Sequence, residues 1–369
     1  MAELIALDFA LGPDLERALR DCVENAWAFC VLDQRLSARQ SHEQLTALGA
    51  TVRWGSDGRT TLATGRAVDD EVGLVMLTSG SSGAPKAAEL TWAALTASAR
   101  ITQSTLRRGS DPVWFPVLPA NHIGGLAVIL RAILDDATLV WGDPTDFDAA
   151  AAHGATHVSV VRAHLARHDL SRFEVVLVGG ARPPSLTATN VIATWGMTET
   201  GSGVVYDATP LPEVELTTVG EEIVVRSPTL FRSYRTMDRP RIVGPDGADD
   251  WFPTGDGGTF IDGRLAVHGR LAYVINTGGE KVWPEDLEGI IAPLDHVRDV
   301  AVTGVDDPLW GQRVVALVVS DGERIDDEIR AQAADRIGPW AKPKEIRYVT
   351  AIPRTGNGKI RRSALPYLQ

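Results

Sequence analysis

The stretch LTSGSSGAPK, Leu77–Lys86, gathers two glycines, four hydroxyl side chains and a lysine into ten residues. It follows the apolar run Val72–Leu77 and precedes a predicted helix over Thr91–Thr102, so it reads as a small-residue loop between two regular elements. Such a loop is suited to phosphate. Gly80 and Gly83 let backbone N–H groups approach an anion, the hydroxyls of Thr78, Ser79, Ser81 and Ser82 add donors, and Lys86 brings positive charge. It is not the Walker loop, because Ala84 and Pro85 stand between the second glycine and the lysine. A Ser/Gly-rich stretch on its own is more often a flexible connection, so the rest of the chain has to decide.

Around this loop the chain runs to 369 residues, enough to bury a sizeable core and to favour two domains over one. Lys and Arg number 36 against 48 Asp and Glu, a net charge of -12 that argues against a nucleic-acid-binding surface. A polyanionic substrate then needs local positive charge. Cys22 and Cys30 fall in one helix-like segment without a histidine cluster, which points to neither a zinc site nor a disulfide framework and fits a reducing cytoplasm. The N-terminal MAELIALDFALGPDLERALR has no basic n-region and carries Glu3, Asp8 and Asp14, so neither a signal peptide nor, in the absence of a long apolar run, a membrane span is expected.

In order along the chain, residues 13–30 carry helical spacing, and the following segment predicts strand Phe29–Leu32, helix Ser41–Leu48 and strand Ala50–Trp54. This is α/β material. A strand Val113–Val117 leads through Pro119 and Asn121 into a Gly-Gly turn and an apolar helix, and two further apolar runs, His157–Val161 and Phe173–Val178, end in turn signals. VIATWGMTET, after Asn190, reads as a strand ending in a glycine turn with two threonines and Glu199. From Gly220 the character shifts to a β-meander of short strands separated by Gly and Asp turns. The tail beyond Leu271 predicts helix Pro284–Ile291, strands Val297–Val305 and Arg313–Val319, helix Asp326–Ile337 and strand Glu345–Val349, a compact α+β domain.

Five segments in fixed order resemble the adenylate-forming superfamily of acyl-CoA ligases, peptide-synthetase adenylation domains and luciferases. TSGSSGAPK (78–86) is similar to its phosphate-binding loop, WGMTE (195–199) to its adenylate motif and PTGD (253–256) to its ribose motif. GRLAYVINTGGEKVWPEDLE (269–288) resembles its hinge and thiolation segment, and PRTGNGKI (353–360) its catalytic-lysine loop. The resemblance implies an α/β fold. A large adenylation domain, 1–271, with layered sheets and helices and a β-rich subdomain would bind ATP and the acyl substrate; a small mobile α+β domain, 272–369, would carry the catalytic lysine.

By the same resemblance, a carboxylate attacks the α-phosphorus of ATP, so catalysis rests on positioning and on neutralising phosphate charge. Thr78, Ser79, Gly80, Ser81, Ser82 and Gly83 would hold the β- and γ-phosphates beside Lys86; Thr198 would bond the α-phosphate, and Glu199 would bind Mg2+. Gly179, Gly180, Ala181, Trp195, Gly196 and Met197 would border the nucleotide, Trp195 offering a flat face to adenine. Asp256, assisted by Arg270, would accept from the ribose hydroxyls. Lys359 would stabilise charge on the reacting carboxylate and α-phosphate. Gly278 and Gly279 would line the path of coenzyme A, with Lys281 near its phosphates. At the hinge, Ala272 and Tyr273 depart from the acidic or basic residues usual there.

The short N-terminal region and LPANHIGGL (118–126) resemble, within that superfamily, the o-succinylbenzoate–CoA ligase branch of menaquinone biosynthesis. His122 and Gly124 would then border the acyl pocket, and Arg162 and Arg182 are candidates for a second carboxylate. Other readings stay open: another small acyl- or aryl-CoA ligase, a stand-alone adenylation enzyme, a nucleotide-binding pseudoenzyme, or a divergent P-loop NTPase. The sequence also leaves room for a homodimer.

Overall fold

The computed structural model describes residues 1–78, 86–106, 111–180, 188–354 and 359–367. Two compact units emerge, Met1–Leu216 with Val225–Phe252, and Thr217–Val224 with Pro253–Gln369. Of the predicted site residues, Ser79, Gly80, Ser81, Ser82, Gly83, Ala181 and Arg182 lie outside the described residues.

The first unit holds two sheets. In the larger, strands Leu4–Asp8, Ala28–Val31, Val52–Gly55 and Val72–Thr78 run parallel, and Lys86–Thr91 returns antiparallel to Val72–Thr78 with Thr78 opposite Lys86. Helix Trp92–Leu106 follows. The predicted passage from loop directly to helix is therefore corrected: a six-residue strand intervenes, and Lys86 is its first residue. KAAEL carries an acid and two alanines, too weak an alternation to announce a strand; pairing along Val72–Thr78 organises it. Cys30 also departs from the helix-like reading. Helix Pro13–Glu24 ends before it, leaving Cys22 on the helix and Cys30 in strand Ala28–Val31. Burial pushes both thiols up, Cys22 to about 12, so neither is a reactive group.

The second sheet sets Val113–Phe115, His157–Val161, Val175–Gly179 and Val191–Met197 side by side and parallel. The apolar runs His157–Val161 and Val175–Gly179 are buried on both faces, as the lack of strict alternation in the sequence implies, whereas Val191–Met197 buries only Ile192. Phe115, Val158, Val160, Val176 and Val178 form its core with Phe147 and Phe173. Helix Ile123–Leu134 buries Leu126, Val128, Ile129 and Leu130.

In the second unit, Phe252–Ile261 and Arg264–Arg270 form one hairpin rather than a series of short strands. Asp262 and Gly263, both at positive φ, close its two-residue turn, the backbone that an Asp-Gly pair favours. A further sheet pairs Val297–Asp307 with Gly311–Ser320, and Glu345–Tyr348 joins parallel to the latter. Helices Pro284–Ile291 and Asp326–Arg336 contribute Leu287, Ile291, Ile329 and Ala333 to a core with Val300, Val302, Val314 and Ala316. No helix among the described residues is long and apolar enough to cross a membrane.

Candidate active site

Most of the predicted site residues in the first unit fall at the carboxyl ends of parallel strands. Thr198 and Glu199 follow Val191–Met197, Gly179 and Gly180 end Val175–Gly179, and Arg162 follows His157–Val161. Asn121 and His122 stand between Val113–Phe115 and the next helix, and Thr78 ends its own strand in the neighbouring sheet. In open α/β sheets this edge is where ligands bind, because the loops there diverge and leave a crevice. Segments far apart in sequence are brought to one edge by topology alone.

Glu199 sits in a short 3-10 turn, Thr198–Thr200, and is buried. Thr200 locks that turn. Its Oγ1 accepts from the Met197 N–H at 2.9 Å and donates to the Ser202 carbonyl at 2.7 Å. Just before it, the strand bulges between Trp195 and Gly196. A Cβ on Gly196 would lie 2.2 Å from the Ser202 carbonyl oxygen, so only glycine permits the close pairing that turns the chain toward Glu199. Trp195 is half-buried on the same strand. At the adjoining strand end, Gly180 has φ +88°, and a Cβ on Gly179 would meet Thr194 Oγ1 at 3.0 Å.

Tyr234 is the residue that the sequence reading missed. Its hydroxyl donates to Glu199 Oε1 at 2.9 Å, and Lys86 Nζ stands 5.2 Å from its ring centroid. The strand Ser233–Tyr234 pairs with Lys86–Thr91, placing Tyr234 opposite Ala88, two residues from Lys86 and therefore on the same face. Glu89, buried in that strand, accepts from Ser233 Oγ at 3.1 Å and from Arg235 Nη1 at 3.2 Å, pinning the two strands together. Lys86, Glu199 and Tyr234 thus make one cluster: a cation, a carboxylate and a phenol that orients it.

His122 is the N-cap residue of helix Ile123–Leu134. Asn121 Nδ2 lies 3.5 Å from His122 Nε2 and donates to Asp33 Oδ2 at 3.2 Å. Hydrogen bonds from Arg35 hold the Asp33 carboxyl below the usual carboxylate range. The two adjacent glycines differ. Gly124 is exposed, and a Cβ on it would meet nothing closer than Leu118 at 3.8 Å, whereas a Cβ on Gly125 would stand 2.4 Å from the Pro119 carbonyl oxygen. The predicted Gly124 has room for a side chain, and the unpredicted Gly125 fixes the helix against the preceding turn. Arg162 is exposed at the first position of a four-residue helix.

In the second unit, Asp256 and Arg270 face each other across the hairpin, with Arg270 Nε 2.8 Å from Asp256 Oδ1. Arg270 Nη1 also donates to the Thr254 carbonyl at 2.9 Å. Asp256 is buried, and its N–H donates to Thr254 Oγ1 at 3.1 Å, so both its backbone and its charge are held. The carboxylate is left as a fixed, acceptor-only group, the type that suits a diol. Gly278, at φ +62°, packs so that a Cβ would come within 2.9 Å of the Trp310 ring, over which Lys344 Nζ stands at 4.4 Å. Gly279 has φ +88° and open space beside it, and Lys281 is ion-paired with Glu221. Lys359 is exposed one residue ahead of the Arg354–Ile360 bridge.

The chain is similar to a probable 2-succinylbenzoate–CoA ligase of Mycobacterium tuberculosis, 36% identical over 335 residues that span 82% of this chain and 86% of the relative. It is also similar to a feruloyl-CoA synthase of an Amycolatopsis species, 32% identical over 79% of this chain and 68% of the relative. Among solved structures, o-succinylbenzoate CoA synthetase (MenE) from Bacillus subtilis, in complex with the acyl-adenylate intermediate OSB-AMP, superposes with a TM-score of 0.83 over 98% of this chain and 88% of that one. At 21% identity that likeness speaks for the fold, which is the adenylate-forming one with a small C-terminal domain. The family model for AMP-binding enzymes matches residues 29–227 and that for the AMP-binding enzyme C-terminal domain residues 286–359. With the carboxylate, phenol and lysine gathered in one cluster and more than half the chain matched, this protein belongs to the AMP-binding enzyme family.

Proposed function

We propose that this chain is an ATP-dependent, AMP-forming acid–CoA ligase that converts 2-succinylbenzoate to its CoA thioester through an acyl-adenylate, with release of pyrophosphate, in menaquinone biosynthesis. The observation that carries the chemistry is Glu199: a buried carboxylate bonded by Tyr234 just beyond strand Val191–Met197, with Lys86 against the same phenol. What favours this acid is the identity to the mycobacterial relative along four-fifths of the chain.

In this reading the substrate carboxylate attacks the α-phosphorus of ATP, the bond to the β-phosphate breaks, and pyrophosphate leaves. Thr78 to Gly83 and Lys86 hold the leaving group, Thr198 bonds the α-phosphate, and Lys359 stabilises charge on the reacting oxygens. Asp256 and Arg270 take the ribose, while Gly179, Gly180, Ala181, Trp195, Gly196 and Met197 border the base and α-phosphate. Glu199 suits Mg2+, since that ion takes few protein carboxylates when phosphate oxygens complete its shell. When bound, Mg2+ neutralises phosphate charge. Coenzyme A then attacks the acyl carbon and AMP departs. Gly278, Gly279 and Lys281 belong to that step, joined by Trp310, whose ring rests on Gly278. His122 and Gly124 border the acid, with Arg162 and Arg182 for its second carboxylate. A body 1–271, a moving body 272–369, a cytoplasmic location and a homodimer complete the proposal.

The relative named feruloyl-CoA synthase supports a second reading with a hydroxycinnamic acid in the same pocket. Supplying ATP, Mg2+ and either 2-succinylbenzoate or ferulate, following pyrophosphate and then adding coenzyme A, separates them. Release with 2-succinylbenzoate and subsequent thioester formation is expected. Release with ferulate alone overturns the acid, and no release with either overturns the assignment of the reaction.

A further inference from the structure

Arg362 lies three residues beyond Lys359, with a side chain only 10% exposed. Its Nη1 donates to Glu288 Oε1 at 3.0 Å and to the Val302 carbonyl at 2.9 Å. Its Nη2 donates to Glu288 Oε2 at 3.0 Å and stands 2.9 Å from Glu285 Oε1. The guanidinium carbon is 5.3 Å from the Tyr273 ring centroid. One side chain therefore ties four pieces together: the 3-10 helix Arg362–Tyr367, helix Pro284–Ile291, strand Val297–Asp307 and the turn Leu271–Tyr273.

The arrangement is over-determined for a mere surface lysine loop. Two carboxylates meet one cation in a dry setting, and burial pushes both Glu285 and Glu288 up against the opposing pull of Arg362. Glu288 Oε1 also accepts from the Val302 N–H at 2.7 Å, so the fork is anchored to backbone as well as to charge. The stem on the other side of Lys359 is fastened to the same strand, through Arg354 Nη2 and Asp299 Oδ1 at 2.6 Å. Glu285 in turn seats on Gly269, where a Cβ would lie 2.2 Å from its Oε2; Gly269 directly precedes Arg270. In this structure contacts thus run from Arg362 through Glu285 to Gly269, beside Arg270.

We infer that Arg362 is the positioning residue for Lys359, fixing the lysine's backbone to helix Pro284–Ile291 and strand Val297–Asp307 through the Glu285–Glu288 pair. This rests on the proposal that Lys359 serves adenylation. A guanidinium is required because only its planar fork satisfies both carboxylates and the Val302 carbonyl at once; an ammonium keeps the charge and loses the geometry.

The test compares the full-length protein with its Lys359→Ala, Arg362→Lys and double variants, measuring pyrophosphate release at saturating ATP and acid, the KM for ATP, and thioester formation from supplied acyl-adenylate. Arg362→Lys is expected to lower adenylation kcat by about 10- to 100-fold, with KM for ATP and the thioester step changed by less than about threefold. Placed on Lys359→Ala, it should add no more than about twofold, because the group it positions is gone. A full further loss on that background means that Arg362 acts independently of Lys359 and overturns the inference, as does a wild-type rate for Arg362→Lys. Wild-type adenylation by Lys359→Ala is a different result: it removes the role of Lys359 itself, and the inference with it. Glu288→Gln disturbs the same fork from its other end and carries the same expectations if Arg362→Lys does not fold.

Discussion

Tyr234 donates its hydroxyl to Glu199 at 2.9 Å, and this bond joins the two-residue strand Ser233–Tyr234 to the turn that follows strand Val191–Met197. The phenol bonds one oxygen of that carboxylate, while its ring meets Lys86.

Tyr234→Phe removes the hydroxyl and keeps the ring, so the Lys86 contact survives and the carboxylate is set loose. A hydrogen bond to a charged group contributes about 1.5–3 kcal/mol, and adenylation kcat/KM should fall by roughly 10- to 100-fold. The loss is expected to be accompanied by a higher Mg2+ concentration for half-maximal rate. Pyrophosphate release across a Mg2+ series measures both, and an unchanged curve would show that Glu199 needs no tether.

The adjacent glycines of the HIGGL segment should behave oppositely. Gly124→Ala meets nothing closer than 3.8 Å and should be neutral or gain up to about 1 kcal/mol from helix propensity. Gly125→Ala drives a methyl to 2.4 Å from the Pro119 carbonyl and should cost about 1–3 kcal/mol. Urea unfolding of the two variants decides it; equal midpoints would contradict the packing at the His122 helix start.

Asp246 accepts from the Trp251 indole at 3.0 Å and pairs with Arg226 at 2.7 Å, and these two contacts lower its carboxyl from 3.8 to about 2. A folded pKa below the unfolded one stabilises the fold above pH 3.8, and that contribution fades as pH falls toward about 2. Asp246→Asn should therefore melt below wild type at neutral pH, with the gap closing through this window. A gap that stays constant or widens in acid would assign the effect to packing around Trp251. Added salt should narrow the neutral-pH gap, since the Arg226 pair is exposed to solvent.

Much of the fold was readable because its signals are local. Helix Pro284–Ile291 is found where proline at the start and an apolar spacing predict it, and the Asp262–Gly263 turn makes the hairpin that an Asp-Gly pair favours. Asp256 and Arg270 become partners only because a bulge between Gly257 and Gly258 shifts the turn's register by one residue; the turn alone would set Asp256 opposite Gly269. Strand Lys86–Thr91 was not readable: its alanines and lone acid carry no β signal, and pairing with Val72–Thr78 and Ser233–Tyr234 organises it.

What the chain's order of residues determined alone was the chemistry on offer: a hydroxyl- and glycine-rich loop, a Thr-Glu turn, an Asp in a tight β segment and a lysine near the end. These depend on residue type and short spacing, which folding does not alter. What only tertiary structure decided was which groups orient them. Tyr234 stands 35 residues from Glu199 and Arg362 stands 74 from Glu288. Such contacts depend on strand register and on which faces are buried, and both are settled by packing summed over the whole core, not by any short run of sequence.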